Sequence, residues 1–393
     1  MEYKPRLIFW ELTMGCNLHC IHCRASATEL SSPDDLDTAT AKGLIDQFAE
    51  YAPLILVLSG GEPLYRRDVL ELARYARQKG LKVALATNGT LVTAALARRI
   101  VDAGIVRAAM SLDGADAGTH DSFRGMPGSF EAMMAGFRHL KELGMSLQFN
   151  TTIARHNMHQ LPAIYEMALR VGADALHTFL LVPVGCGVEI AAQQMVPPEQ
   201  YEQLLHWFYD REKEGRIELK ATCAPHYFRV RKQRQVEEKS KVQGEAQVSG
   251  LRSQVCKESQ VSGLRSQVCN ESQVSGPRSQ VPHGMPSRHA DLAAVTRGCL
   301  AGSGVCFVSH KGEVYPCGYL PAKAGDLLTQ SFREVWEQST VFQLLRDTAN
   351  LKGKCGICEF RNICEGCRAR AYAATGDYLD EEPVCVYVPR SAK

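Results

Sequence analysis

The chain reads as an α/β protein: a parallel sheet of six strand-helix repeats, doubly wound or curled into part of a barrel, followed by a small cysteine-rich region. Three observations carry this reading. Short aliphatic or β-branched runs at 7–13, 53–59, 81–87, 107–112, 146–152 and 175–182 alternate with helix-like stretches at 38–51, 68–79, 93–103, 130–143 and 161–171. Four of those helices end in glycine directly before the next strand, at Gly80, Gly104, Gly144 and Gly172, as left-handed helix stops do. The strands are apolar nearly throughout, as strands covered on both faces are.

In either arrangement the loops at the carboxyl ends of the strands gather at one face. The first of them carries Cys16, Cys20 and Cys23, three thiols within eight residues. A four-iron cubane held by three thiolates keeps one iron without a protein ligand, a place for chemistry. The same spacing suits zinc with His19 or His22 as a further donor, or plain redox or structural thiols. Behind the second strand stands Gly60-Gly61-Glu62, where two glycines allow close backbone approach to a ligand and Glu62 offers a carboxylate to a cation; a simple glycine turn reads equally well. Asn88 follows the third strand and Ser111 with Asp113 the fourth, so polar side chains collect at one face.

A helix at 198–213 leads to a segment containing Lys220, Cys223, His226, Arg229 and Arg231. Residues 245–283 hold three near-copies of a 13-residue unit, poor in large apolar residues, which read as a flexible linker. Its Cys256 and Cys269 are poor candidates for ligands. Beyond it come Cys299, Cys306, Cys317, Cys355, Cys358, Cys364, Cys367 and Cys385, eight thiols and therefore two sets of four, around a strand pair at 304–309 and 313–316 and a helix at 332–346. Paired CxxC units signal metal, although spacing does not separate zinc from iron-sulfur. The division expected is a barrel over 1–220, a bridging segment over 221–290 and a C-terminal domain over 291–393.

Composition sets the remaining bounds. With 45% hydrophobic and 22% charged residues the chain can bury a substantial core. Its 45 basic and 43 acidic residues give a net charge of +2, no field for nucleic acid or an anionic membrane. No apolar run approaches the roughly 20 residues of a membrane span. Fifteen cysteines without a secretory leader point to a reducing cytoplasm.

The loop Cys16-x3-Cys20-x2-Cys23 followed by Gly60-Gly61-Glu62 resembles the radical S-adenosylmethionine (SAM) superfamily, whose members bind a [4Fe-4S] cluster and SAM at the mouth of a partial (β/α)6 barrel. His22 stands where the family usually has an aromatic residue, and its imidazole can pack against adenine. The resemblance implies that Cys16, Cys20 and Cys23 hold the catalytic cluster, and that Gly60, Gly61, Glu62 and Asn88 line the methionine end of SAM. Ser111, Asp113 and Arg124 would meet its ribose or carboxylate, and Asn150 and Leu181 its ribose and adenine. The C-terminal thiols are similar to the SPASM domain, an auxiliary iron-sulfur module. That likeness implies one cluster on Cys299, Cys306, Cys317 and Cys367 and a second on Cys355, Cys358, Cys364 and Cys385, with Cys306 also readable as a core thiol.

The stretches 219–229, 317–320, 367–372 and 375–378 resemble the subfamily that makes haem b from Fe-coproporphyrin III; relatives in haem d1 formation and peptide-cofactor maturation share much of this pattern. A non-catalytic iron-sulfur or zinc protein is the other alternative. The subfamily resemblance implies oxidative decarboxylation of two propionates to vinyl groups, with hydrogen abstraction by a 5′-deoxyadenosyl radical and the auxiliary clusters as electron acceptors. It also implies a tetrapyrrole substrate, a donor such as a flavodoxin or ferredoxin, and a monomer. Arg24, Lys220, His226, Arg229 and Arg231 are candidates for the substrate carboxylates. Cys223 or His226 could instead meet the porphyrin iron, or form a turn with no ligand role. His177 reads as a substrate contact or a satisfied interior histidine.

Overall fold

The computed structural model describes residues 3–28, 32–241 and 298–392. The chain lays down β1 (Leu7–Glu11), α1 (Thr38–Ala49), β2 (Ile55–Ser59), α2 (Val69–Gln78), β3 (Lys82–Thr87), α3 (Ala94–Asp102) and β4 (Arg107–Ser111). It continues with α4 (Ala117–Arg124), α5 (Ser129–Glu142), β5 (Ser146–Ile153), α6 (Leu161–Arg170), β6 (Ala175–Leu180), α7 (Gly187–Gln194), α8 (Pro198–Glu214) and β7 (Glu218–Thr222). After the segment that is not described come β8 (Val305–Val308), β9 (Glu313–Tyr315), β10 (Gly325–Asp326), α9 (Phe332–Gln338), α10 (Thr340–Arg346), α11 (Gly353–Ile357) and α12 (Arg368–Thr375).

All six expected strands form, mutually parallel and in sequential order. The glycine stops behave as read: Gly80, Gly104, Gly144 and Gly172 all take positive φ. Three elements before the undescribed segment were not foreseen, and β10, α11 and α12 after it. α4 has only His120 and Phe123 buried, so it shows no apolar period; Asp116, accepting from the Thr119 N–H, starts it. α7 buries only Gly187, and β7 has no fully buried residue. The helix expected over 332–346 is two helices, because Ser339 takes an extended backbone between them.

Alternate strand residues, among them Leu56, Leu58, Val83, Leu85, Met110, Leu147 and Phe149, pack against Leu44, Phe48, Leu72, Ile100, Phe137 and Leu140 of the helices in one buried cluster. Each such side chain contributes about 1.5–3 kcal/mol on leaving water. The opposite side chains of the strands face inward, and many, such as Ala84, Ser111, Asn150 and His177, stay partly accessible.

The sheet runs β10-β9-β8-β1-β2-β3-β4-β5-β6-β7. Laid flat, β9 and β7 would stand about 38 Å apart at the usual strand spacing. Yet Cys223, just past β7, and Cys317, just past β9, pack into the same buried group around Cys367. The sheet therefore curls until its two edges approach, the partial barrel expected.

The C-terminal region is not a separate body. β8 pairs in parallel with β1, and β9 and β10 extend the same sheet. Compactness divides the chain into Met1–Phe228 with Arg297–Lys393 on one hand and Arg229–Thr296 on the other, rather than at 220 and 291. The described part of the second unit, residues 229–241, is helical. The repeats at 245–283, with Cys256 and Cys269, lie outside the described residues.

Candidate active site and cluster cradles

The cysteine loop is seated by glycines. A Cβ at Gly61 would drive into the carbonyl oxygens of Met14 and Gly15, one at Gly125 into that of His19, and one at Gly185 into those of Cys23 and Arg24. Where those Cβ atoms are missing, backbone bonds form: the Gly61 and Glu62 N–H groups donate to the Thr13 and Gly15 carbonyls at 2.8 Å each, and the Cys186 N–H to Cys23 at 2.9 Å. The expectation that Gly60 and Gly61 clear space for a ligand is thus refined, since what approaches them is the loop itself. Gly125 and Gly185 escaped the sequence reading because, alone, one is a helix stop and the other a turn.

Each of the three thiols faces an N–H donor. Leu18 N–H and the Asn88 amide address Cys16 Sγ at 3.4 and 3.9 Å, Arg124 Nη1 addresses Cys20 Sγ at 3.7 Å, and Ala27 N–H addresses Cys23 Sγ at 3.5 Å. Such donors favour thiolate and tune a cluster's potential, so the donor set fits an iron-sulfur cubane. Burial pushes the Cys16 thiol up to about 11, and the neighbouring Cys20 and Cys23 add to the shift; ligation would release that proton. Among the described residues no three His, Cys, Asp or Glu side chains are grouped to hold a single metal ion; a cubane spreads its thiolates one to an iron. His22 stacks on Phe123 with centroids 4.0 Å apart, and burial lowers its pKa to about 4, so it is neutral.

Beside the loop, Glu62 is fully buried, and its carboxylate accepts from Thr87 Oγ1 at 2.8 Å, the Asn88 N–H at 2.7 Å and the Leu64 N–H at 3.0 Å. Burial nevertheless pushes it up to about 7. A carboxylate in that condition is a prepared partner for an ammonium group. Asp113 and Arg124 form a buried ion pair at 2.5 Å, with Asp113 Oδ1 also taking the Thr152 N–H at 2.7 Å. Burial alone would raise Asp113, but Arg124 holds it below its ordinary value. Arg124 thereby bridges Asp113 to Cys20, and its buried Nε has no hydrogen-bond partner among the described residues, a donor left for a ligand. Ser111 and Asn150 sit side by side in register at the ends of β4 and β5, with Asn150 Oδ1 accepting from Gln148 at 2.7 Å. Leu181 is buried with Phe123 and Ala154.

The side chains proposed for substrate separate into four settings. Arg24 is committed: it pairs with Glu11, lies over the Phe307 ring at 4.3 Å and reaches the Gly318 carbonyl at 3.4 Å. His177 is an interior histidine, between Gln148 at 2.9 Å and Glu218 at 3.4 Å. His226 is fully buried against Tyr201 at 4.6 Å, away from solvent. Arg229 and Arg231 belong to the second unit, where Arg229 donates to Gln233 at 2.8 Å. Lys220 alone of the set is exposed, on the inward face of β7 opposite His177, with Glu218 as its nearest opposite charge on the same strand. Surrounding protein, with Arg6 beside it, holds its ammonium below the ordinary value.

Tyr319 was not anticipated. Its ring lies 6.4 Å from Phe179, and burial, with Cys223, Cys317 and Asp113 near, opposes its ionisation. It packs against the buried group that contains Cys367. The only signal for it was its place two residues after Cys317.

The C-terminal thiols fall into two groups. Cys299, Cys317 and Cys367 sense one another, and the same group includes Cys223. Cys355, Cys358 and Cys385 form the second. Cys364 follows on the same loop, its N–H on the Phe360 carbonyl at 2.9 Å. The Glu382 N–H donates to Cys355 Sγ at 3.3 Å and the Phe360 N–H to Cys358 Sγ at 3.4 Å. Cys306 is a correction. It pairs with Ile8 in β8, is fully buried, and belongs to the main apolar core with Trp336 and Phe342 rather than to the thiol group. Strand alternation turns it toward the helices, so it cannot share a cluster with Cys299.

Fold and loop together define the class, a radical SAM enzyme with an auxiliary iron-sulfur region. Residues 10–168 match the Radical SAM superfamily, and residues 299–368 match a family described as an iron-sulfur cluster-binding domain. Among solved structures, Streptococcus suis SuiB bound to S-adenosylmethionine shares the fold with a TM-score of 0.66 at 15% identity, over 98% of this chain and 78% of that one. The AdoMet-dependent heme synthase of Methanosarcina barkeri is 47% identical over 99% of this chain and 98% of its own length. That of Nitratidesulfovibrio vulgaris is 40% identical over 98% and 93%. The chain belongs to the family of these AdoMet-dependent heme synthases.

Proposed function

We propose that the chain converts two propionates of Fe-coproporphyrin III to vinyl groups, giving haem b. The observation that carries this is end-to-end identity of 47% to a heme synthase. The residues present support it. Cys16, Cys20 and Cys23 would hold the catalytic cluster, with Glu62 receiving the methionine ammonium of SAM and Arg124 and Asp113 fixing the ligand's polar edge. Cluster and SAM would supply, on reduction, a 5′-deoxyadenosyl radical able to take a hydrogen from the propionate. The inner face between the loop and the Cys223 group offers what a flat tetra-anion needs: aromatic rings at Phe179 and Tyr319, and an exposed cation at Lys220. Cys355, Cys358, Cys364 and Cys385 would hold an auxiliary cluster that takes up the electron left by decarboxylation.

Among the described residues no helix is long and apolar enough to cross a membrane. The wealth of thiols favours a reducing cytoplasm; a flavodoxin or ferredoxin would supply the electrons, and the chain would act as a monomer.

The test is incubation of the anaerobically reconstituted chain with SAM, reductant and Fe-coproporphyrin III, followed by mass analysis. Loss of two carboxyl groups in sequence, with release of 5′-deoxyadenosine, is expected. An unchanged porphyrin beside SAM cleavage would sink the substrate assignment. Lys220→Met should weaken porphyrin binding about tenfold, the worth of one hydrogen bond to a charged group.

A further inference from the structure

The group of thiols around Cys367 is one ligand short if it is drawn from the C-terminal region alone. Cys299, Cys317 and Cys367 lie within or at the edge of the matched stretch 299–368, and the remaining candidate there, Cys306, faces the apolar core. A four-iron cluster has four irons to bind.

We propose that Cys223, which lies outside both matched stretches, is the fourth thiolate of the auxiliary cluster held by Cys299, Cys317 and Cys367. Packing is the first argument. Cys223 and Cys317 both lie against the buried group that contains Cys367, Leu320 and Val182, whereas Cys306 belongs to a different one.

Anchoring is the second. The Cys223 carbonyl accepts from Arg370 Nη2 at 2.5 Å and from the Tyr201 hydroxyl at 3.3 Å. Arg370 sits in the first turn of α12, whose N-cap is Cys367. Its Nε donates to Glu382 Oε1 at 2.9 Å, and Glu382 Oε2 takes the Cys367 N–H at 2.6 Å. A single fully buried ion pair therefore holds the backbones of Cys223 and Cys367 in fixed relation. Cooperation of this kind is what pins ligands contributed by two distant stretches to one centre.

Backbone conformation is the third. Cys223 has φ +56°, in the left-handed region that a side chain bearing a Cβ seldom takes. Residues are kept there where their surroundings over-determine them, commonly at functional sites. A turn with no ligand role could use glycine without that cost. Ligation would take the proton from the thiol and release it to solvent.

The inference rests on the presence of auxiliary clusters but not on the identity of the substrate, so it is read without porphyrin. The chain is reconstituted anaerobically beside Cys223→Ala, Cys223→Ser and Cys306→Ala, and iron, acid-labile sulfide and the EPR of the reduced proteins are measured with and without SAM. For Cys223→Ala, iron should fall from about twelve per chain by about one cluster's worth, with one auxiliary signal lost and the SAM-induced shift of the first cluster kept. Cys223→Ser, whose oxygen can still ligate, should alter the g-values of that same signal, and reports on the site if the alanine variant does not fold. Cys306→Ala should match the parent. Parental iron and spectra in both Cys223 variants would overturn the proposal, as would loss of the cluster in Cys306→Ala instead. A Cys223 reserved for the porphyrin iron would give that first, overturning result.

Discussion

Glu62 shows what one residue in this site is prepared to do. Its carboxyl, pushed to about 7 by burial, contributes stability in the ligand-free protein that is fully present below its ordinary value of 4.5 and is lost as pH rises through about 7. An ammonium pairs only with the ionised form, so binding has the opposite sign. SAM affinity should fall as pH drops below about 7, approaching a factor of ten per unit, in calorimetric titrations between pH 8 and 6. Glu62→Gln should bind SAM roughly tenfold more weakly at pH 8 and lose that pH dependence. A variant retaining the slope would assign it elsewhere. Glu62 could be singled out in the sequence because it follows two glycines at a strand end, although a plain turn read equally well there. Arg24 was not, since only the fold brings Glu11 and Phe307 to it.

At the scale of elements, the parallel strands place the polar residues and the turns between them place the loop. Gly61 accepts the cysteine loop in backbone contact that no other residue permits. Gly61→Ala should therefore lose the first cluster, seen as about four fewer irons per chain and no SAM-induced EPR shift, with the auxiliary signals retained. Loss of nothing would show that the loop can move aside. The strands were readable from apolar runs and glycine stops because both are local. α4, which carries Arg124 to Cys20, was not, since its eight residues bury only His120 and Phe123 and have no period to detect.

For the whole molecule the decisive feature is closure. Arg370 and Glu382, both 1% exposed, link β7's end to the C-terminal helix and stand between the two thiol groups, Glu382 touching Cys367 through its carboxylate and Cys355 through its N–H. Burial would raise Glu382, but Arg370 above all holds it ionised. Arg370→Met leaves that charge unpaired and removes the donor on Cys223; a loss of about 3–5 kcal/mol is expected, read as a lower denaturant midpoint in the reconstituted protein. A midpoint within error of the parent would show that closure does not depend on the pair.

The amino-acid order by itself determined the strand-helix repeat, the three-thiol loop, the glycine-glycine-glutamate partner and the wealth of C-terminal thiols, because each is a matter of spacing within a few residues. Tertiary structure decided which thiols lie together. Cys306 is seven residues from Cys299 yet is turned into the core by strand alternation, while Cys223, 76 residues earlier, is carried to it by the curl of the sheet. Sequence distance does not measure spatial distance once a sheet has closed on itself.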